Sequence, residues 1–320
     1  MREAVHETKK APKLAAAAGQ RAGLGLYALL GVMLACWSAN FTFVKLATDE
    51  LPALLVACLR TVCSGVFMIP LYLILRKNPT LGGDFRWKKA PMLLAIGVAG
   101  IVGNQSVFVL GVSKTTVAHS ALLTALTPIF VLLGAAAARH ERLSTLKLFG
   151  MALAVAGVVV LQAGHAQTRS ASLLGDGLVV VSGAMFAGFS IFGKKAAAEC
   201  GIITVNTFAF VGGGVLALPY TVWEMHRLNL QAVSLKAWLS VLYMGIVSSI
   251  VAYLIYVSAL RRLPASRVAS VSYLQPIFAT LLAMSVLGEH PGNAFLAGAA
   301  LVLSGVWITQ TSYSQGGSNK

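Results

Sequence analysis

Charge is what this sequence has least of. Only 11% of its 320 residues are Asp, Glu, Lys or Arg, against about 25% in a soluble domain. A soluble chain of this length could not cover its surface with so few solvated groups. Acidic residues are scarcest, 10 against 25 Lys and Arg. None lies at mid-depth in an apolar run, so no carboxylate is placed as an intramembrane proton carrier. The six histidines are scattered, and neither a His-rich metal set nor a pair of catalytic acids can be assembled. No metal, cofactor or enzymatic activity is expected. No G-x-x-x-x-G-K-[ST] occurs, which disfavours an ATP-driven pump. Cys36, Cys58, Cys63 and Cys200 show no metal or redox spacing and read as free thiols, three of them within apolar runs. The first 22 residues lack a leucine-rich core ahead of a cleavage site and read as a mobile cytosolic tail.

What the chain has instead is length in apolar residues, 57% of the total. Crossing a bilayer takes roughly 20 of them in a row, with a range of about 17–25. Ten runs qualify or come close: 24–47, 53–75, 90–111, 116–138, 145–162, 177–197, 203–223, 237–260, 266–287 and 292–311. Those at 145–162 and 177–197 are the least sharply bounded. The basic residues sit in the short links between the runs, which argues against a nucleic-acid surface. With the N-terminus placed inside, the inner segments hold 19 Lys and Arg and the outer ones 4. By the positive-inside rule both termini are cytosolic. The expected fold is all-α and integral to the cell inner (cytoplasmic) membrane, with ten transmembrane helices. Its partners are the bilayer and a small-molecule substrate, not nucleic acid, and a monomer suffices.

The chain also repeats itself. A shift of 148 residues (126 to 274) lays Leu126-Thr127-Pro128-Ile129-Phe130 on Leu274-Gln275-Pro276-Ile277-Phe278, Glu141 on Glu289 and Gly157 on Gly305. Further upstream the shift becomes 149, pairing Lys45 with Lys194 and Pro70 with Pro219. Each unit holds five spans. An odd count reverses the second unit, so the expectation is two inverted five-helix repeats, at 24–162 and 177–311, joined by 163–176 and flanked by tails at 1–23 and 312–320. Inverted repeats are characteristic of secondary transporters, whose substrate sits near the midplane between the halves.

Several local signatures carry a family resemblance: Trp37-Ser38-Ala39-Asn40-Phe41 with Lys45 in the first span, Pro52 and Arg60 around the second, and the two Pro-Ile-Phe…Glu blocks. Over about residues 24–311 the sequence resembles the EamA-like branch of the drug/metabolite transporter superfamily. The resemblance implies movement of small metabolites such as amino acids or nucleosides, frequently outward. Any site would be asymmetric, because Phe186 stands opposite Trp37 and Ala209 opposite Arg60.

Polar and aromatic residues inside the runs supply the candidate site: Trp37, Asn40, Phe41, Arg60, Asn104, Gln105, Tyr253, Tyr273 and Gln275, with Ser120, Tyr256 and Phe189 as further wall candidates. Lipid-facing positions would not hold so rich a polar set. Arg60 lies eight residues beyond Pro52, about 12 Å into its helix. Its guanidinium either meets an anionic substrate group or bonds helix-end carbonyls. Pro128 and Pro276 fall mid-span and free the carbonyls of Thr124 and Ser272. They act either as gating hinges or as bends that fit neighbouring helices. Glu141 and Glu289, at helix ends, are expected to cap the start of the following helix, with coupling-proton carriage as the other reading. His119 is either a hydrogen-bonded interfacial residue or a titrating one. The function expected is a secondary or facilitative transporter, most readily of amino-acid-like solutes and in the export direction. An intramembrane enzyme and a dual-topology channel are the alternatives.

The charge bias makes a direct prediction. In a Cys-free background, a single cysteine in the 194–203 link will resist an impermeant thiol reagent added to intact cells, and one in the 163–175 link will react. Labelling of the 194–203 link from outside would overturn the topology.

Overall fold

A computed structural model describes residues 2–83, 87–137, 144–163, 172–263, 268, 270–290 and 292–316. Among the described residues the secondary structure is entirely helical. The helices are α1 (Arg2–Thr48), α2 (Ala53–Leu75), α3 (Trp87–Ser113), α4 (Val117–Thr124), α5 (Thr127–Ala137), α6 (Thr145–Ala163), α7 (Leu173–Cys200), α8 (Ile202–Arg227), α9 (Leu235–Arg262), α10 (Gln275–Leu287) and α11 (Asn293–Gly316). The segment ahead of Gly25, expected as a tail, continues α1 back to Arg2; its alanines are strong helix formers. At the other end α11 runs on to Gly316, past the boundary expected at 311.

Seven helical stretches are long and apolar enough to cross a membrane: Gly25–Thr48, α2, α3, Val117–Gly134 (spanning α4 and α5), α7, α8 and α9. Thr145–Val160, Gln275–Leu287 and Asn293–Gly305 are shorter apolar helices. Among the described residues each of the ten runs read from the sequence carries helix, but only seven stretches reach the length of a span, and the other three are shorter. The outward faces of α2 and α8 carry Val66, Ile74, Val215 and Leu216, each 60% exposed or more. Water does not support contiguous apolar faces of this kind; lipid does. The chain is a multi-pass membrane protein.

Hydrogen bonds show which helix ends lie together. At one end, here the Thr48 end, Lys45 Nζ donates to the Ser113 carbonyl (3.3 Å) and Ser172 Oγ to the Lys114 carbonyl (2.8 Å). There Thr115 Oγ1 also donates to Asp176 Oδ1 (2.5 Å), and the Ser234 N–H and hydroxyl donate to Glu50 (2.7 and 2.6 Å). At the opposite, Cys200 end, Lys194 Nζ donates to the Leu263 carbonyl (3.2 Å), Arg261 to the Thr80 carbonyl (2.8 Å) and Ile203 N–H to the Leu81 carbonyl (3.0 Å). Lys45 and Lys194, equivalent in the repeat, make the same bond at opposite ends. Each places an ammonium on a carbonyl at the C-terminal end of a neighbouring helix, where the helix dipole favours positive charge.

The apolar interior forms two main bodies. One, toward the Thr48 end, includes Val44, Leu55, Val117, Leu122 and Ala283. The other, toward the Cys200 end, includes Met33, Leu93, Ile203, Phe210 and Tyr256. The cavity touches both bodies, with Phe41 of the first and Tyr253 of the second in its lining. To one side, α6 packs along α11 with glycine at the crossing: a Cβ on Gly157 would lie 2.7 Å from the Val302 nitrogen, and one on Gly305 would collide with the backbone of Gly150 and Ala154. Small residues let membrane helices approach this closely.

One expectation needs correcting. Glu289 does not cap the helix that follows it. Its carboxylate accepts from the N–H groups of Val117 (2.8 Å) and Ala118 (3.1 Å), the first turn of α4 in the other repeat. Gly288, with φ +65, turns the chain at the end of α10. That reversal separates Glu289 from the start of α11 and presents it to α4. Glu141 lies outside the described residues. His119 follows the hydrogen-bonded reading, with Nδ1 3.2 Å from Asp176 Oδ2.

The α6–α11 crossing predicts that Gly305→Leu destabilises the protein by about 1–3 kcal/mol through overpacking. The expected result is a lower melting temperature in detergent, while Gly25→Leu, at a position open to its surroundings, leaves it unchanged. Equal melting for both would show that the crossing is loose.

Candidate substrate cavity

The cavity at the centre of the bundle is built from helices that depart from regular α geometry. The fourth span is interrupted between Thr124 and Thr127, and α5 restarts with Pro128 as its second residue. The ninth span opens as a 3-10 turn over Ser270–Leu274 and becomes α-helical only at Gln275, with Pro276 in its first turn. Proline is tolerated in a first turn because its missing N–H would be unpaired there anyway. The two prolines thus start new helical segments, where the sequence suggested kinks within continuous ones. α3 and α9 each carry a π-helical stretch, Val98–Gly103 and Met244–Val251. These stretches are equivalent in the repeat. A π turn adds a residue to the turn and swings the following side chains around the axis. Asn104 and Gln105 follow the first stretch, and Tyr253 follows the second.

The cavity embraces about 580 Å³ of empty space, including its mouth. Trp37, Asn40, Phe41, Arg60, Asn104, Gln105, Tyr253 and Gln275 line it, all of them candidates from the sequence. The ninth candidate, Tyr273, has its side chain outside the described residues. The other three wall candidates stand back: Ser120 Oγ donates to its own helix at Thr116 (2.9 Å), Tyr256 hydroxyl pairs with Ser190 (2.6 Å), and Phe189 packs behind Phe186 and Tyr253.

Sequence reading missed Phe108, Thr127, Ser182 and Gly183, named Thr124 and Ser272 only for their carbonyls, and named Phe186 only as the counterpart of Trp37. The repeat would have found several of these. Thr124 is equivalent to Ser272, Thr127 to Gln275, Phe186 to Trp37 and Gln105 to Tyr253, and both members of each pair line the cavity. Ser182 and Gly183 have no such partner in the lining, and no signal in the sequence marks them.

Arg60 is 2% exposed. Its Nη2 donates to Ser249 Oγ at 3.1 Å. Ser249 has one proton to give and directs it to the Met244 carbonyl at 2.8 Å inside the π turn, so its lone pair faces the guanidinium. Gln105 Oε1 lies at 3.4 Å from the same hydroxyl. Arg60 Nε and Nη1 and Gln105 Nε2 have no partner among the described residues. Nor do the carbonyl oxygens Asn40 Oδ1 and Gln275 Oε1. Asn104, by contrast, is committed: Nδ2 donates to the Ser182 carbonyl (2.5 Å), and Oδ1 accepts from the Tyr253 hydroxyl (3.4 Å). Trp37 donates its indole N–H to the Ser248 carbonyl (3.0 Å) and presents its ring to Phe186 (5.6 Å between centroids) and Tyr253 (5.5 Å). The site therefore combines unsatisfied donors around one cation, unsatisfied carbonyls and an aromatic wall.

No group of three or more His, Cys, Asp or Glu suited to a metal occurs among the described residues. A helical multi-pass membrane protein with a half-open cavity among its helices, walled by aromatic rings and a few polar groups, belongs, by class, with the membrane transport proteins. The EamA-like transporter family model matches residues 24–162 and again 173–311, and the chain belongs to that family. It is 26% identical over 280 residues to an uncharacterized transporter of Archaeoglobus fulgidus, covering 88% of this chain and 96% of that one. It is 27% identical to a probable amino-acid metabolite efflux pump of Salmonella typhimurium (89% and 93% covered). To a probable terminal-alkyne amino-acid exporter of Streptantibioticus cattleyicolor it is 28% identical (70% and 74% covered). A solved crystal structure shares the fold, with a TM-score of 0.65 at 19% identity, over 90% of this chain and 98% of that chain.

The prolines generate a test. Pro128→Ala and Pro276→Ala let each helix run on across its break. Each variant is expected to insert normally and to transport more slowly at matched protein amounts. Wild-type rates in both would reduce the prolines to packing elements.

Proposed function

We propose that the protein is a secondary or facilitative transporter that exports amino-acid-like metabolites by alternating access. In this reading ten helices span the inner membrane as two inverted five-helix repeats, and both termini lie in the cytosol. The Thr48 end then faces outward. The Lys45 and Lys194 ties at opposite ends support the inverted arrangement, and the loop charges support the orientation. Export follows the direction in the names of the Salmonella and Streptantibioticus relatives.

The single observation that carries the substrate class is the state of Arg60. A guanidinium at the centre of a membrane helix costs about 2.5–3.5 kcal/mol on insertion scales. Here one nitrogen reaches a neutral hydroxyl and two reach nothing among the described residues. A carboxylate in the cavity would supply the missing acceptors in the fork geometry that guanidinium favours. An ammonium beside it would meet the open carbonyls of Asn40 and Gln275. The wall formed by Trp37, Phe186 and Tyr253 would receive the rest of an amino acid. An unsatisfied buried polar group is expensive, so a zwitterion offsets a cost the empty site carries.

Arg60→Gln is expected to weaken transport of a carboxylate substrate by roughly 10–100-fold, the range for a lost charge-assisted interaction, and that of its amide analogue far less. Arg60→Lys should recover only part, because a point charge lacks the fork. The measurement is uptake into proteoliposomes, screened over amino acids and their amides. Equal losses for acid and amide would assign Arg60 to packing.

A further inference from the structure

The contact between Glu289 and α4 joins the two repeats on the Thr48 side of the cavity. α4 and α10 come from different repeats, pack on each other, and each runs from the cavity toward the Thr48 end. Thr124, at one end of α4, and Gln275, at one end of α10, line the cavity. Between there and the Thr48 end, Val117, Ala121, Ala279 and Ala283 are fully buried. A solute leaving the cavity on this side must pass where these helices meet, so they must part.

What lies at the top of that contact is not more apolar packing. Gly288 closes α10 with a left-handed turn, and the N–H of Glu289 returns to the Ala283 carbonyl (3.3 Å). This points the carboxylate at α4. Its two oxygens take one N–H each, from Val117 at 2.8 Å and Ala118 at 3.1 Å, and Thr116 Oγ1 takes the next, from His119 at 3.2 Å. The first turn of a helix has no intrahelical partners for these donors, and its dipole favours an anion. Lys45, which ties α1 to the end of α3, lies within electrostatic range of the same carboxylate. Apolar surfaces slide over one another at little cost, whereas a two-pronged bond to fixed N–H groups is either made or broken. It gives the closed arrangement a defined state.

We propose that Glu289 is the latch of the cavity on the Thr48 side. It holds the first turn of α4 to the end of α10 while that side is closed, and releases it when the cavity opens there. This rests on the alternating-access reading above. Its hydrogen-bond partners, Val117 and Ala118, do not line the cavity, and Glu289 is a positioning residue, not a binding one.

The test uses the full chain with its four cysteines replaced and one reporter, Ala121→Cys, which sits about one turn beneath the latch. An impermeant maleimide is added from the Thr48 side in oriented vesicles. Glu289→Gln keeps the shape but loses the charge and one acceptor, and is expected to raise the labelling rate about ten-fold. Val117→Pro reads the same contact from the other partner, and serves equally if the first variant fails to fold. It removes the N–H that Glu289 accepts from, at the one helical position proline prefers. The extended backbone of Thr116 (ψ 158) already suits a following proline. It too is expected to speed labelling, by two-fold or more. Labelling at the parent rate in the variants, whether or not transport is lost, would overturn the latch. The parent reporter must also label faster during turnover than at rest. If it stays protected throughout, alternating access itself falls, and the latch with it. Faster labelling of the parent in turnover together with unchanged variants removes the latch alone.

Discussion

Inside a bilayer no water completes a hydrogen bond, and this protein is organised around that constraint. Backbone groups must pair within each helix, which is why the apolar runs are helical among the described residues. Where the helical ladder breaks, a partner has to come from elsewhere. Glu289 supplies it at the start of α4, and Lys45 and Lys194 supply it at the ends of α3 and α9. These replacements come from other helices. The same bonds that satisfy the backbone therefore tie the bundle together.

Exceptions to the constraint occur in the cavity and beside it. Among the described residues, Arg60, Gln105, Asn40 and Gln275 carry unpartnered atoms in the lining, and Ser38, Thr42, Asn206 and Thr280 each keep one outside it. Other buried polar side chains look after themselves: Ser64 donates to its own helix at Arg60 and lies against Gly245, Thr61 to Ala57, and Ser190 pairs with Tyr256.

The duplication supplies a symmetric frame and then departs from it. Thr124 and Ser272, Thr127 and Gln275, and Trp37 and Phe186 line the cavity as equivalent pairs. The cation does not: Arg60 is matched by Ala209, and Asn104 by Ala252, so the guanidinium comes from the first repeat alone, while Gln275 adds polar lining from the second.

The sequence by itself determined the class, the repeat and most of the cavity wall. Those properties follow from local rules: apolar length sets a span, and a polar residue inside a span needs a reason to be there. Trp37, Arg60 and Gln105 could be singled out on that basis alone. Only the tertiary structure decided what the rules leave open. It placed Glu289 on α4 rather than on the next helix, because a glycine turn and the approach of the other repeat outweigh proximity in sequence. It turned two expected kinks into helix restarts, and it brought Ser182 and Gly183 to the cavity with no mark in the sequence. It also set the state of Arg60. A sequence shows that a guanidinium is buried. Which of its nitrogens find partners depends on the phase of a π turn in a helix 189 residues away, and helix phase is fixed by packing, not by composition.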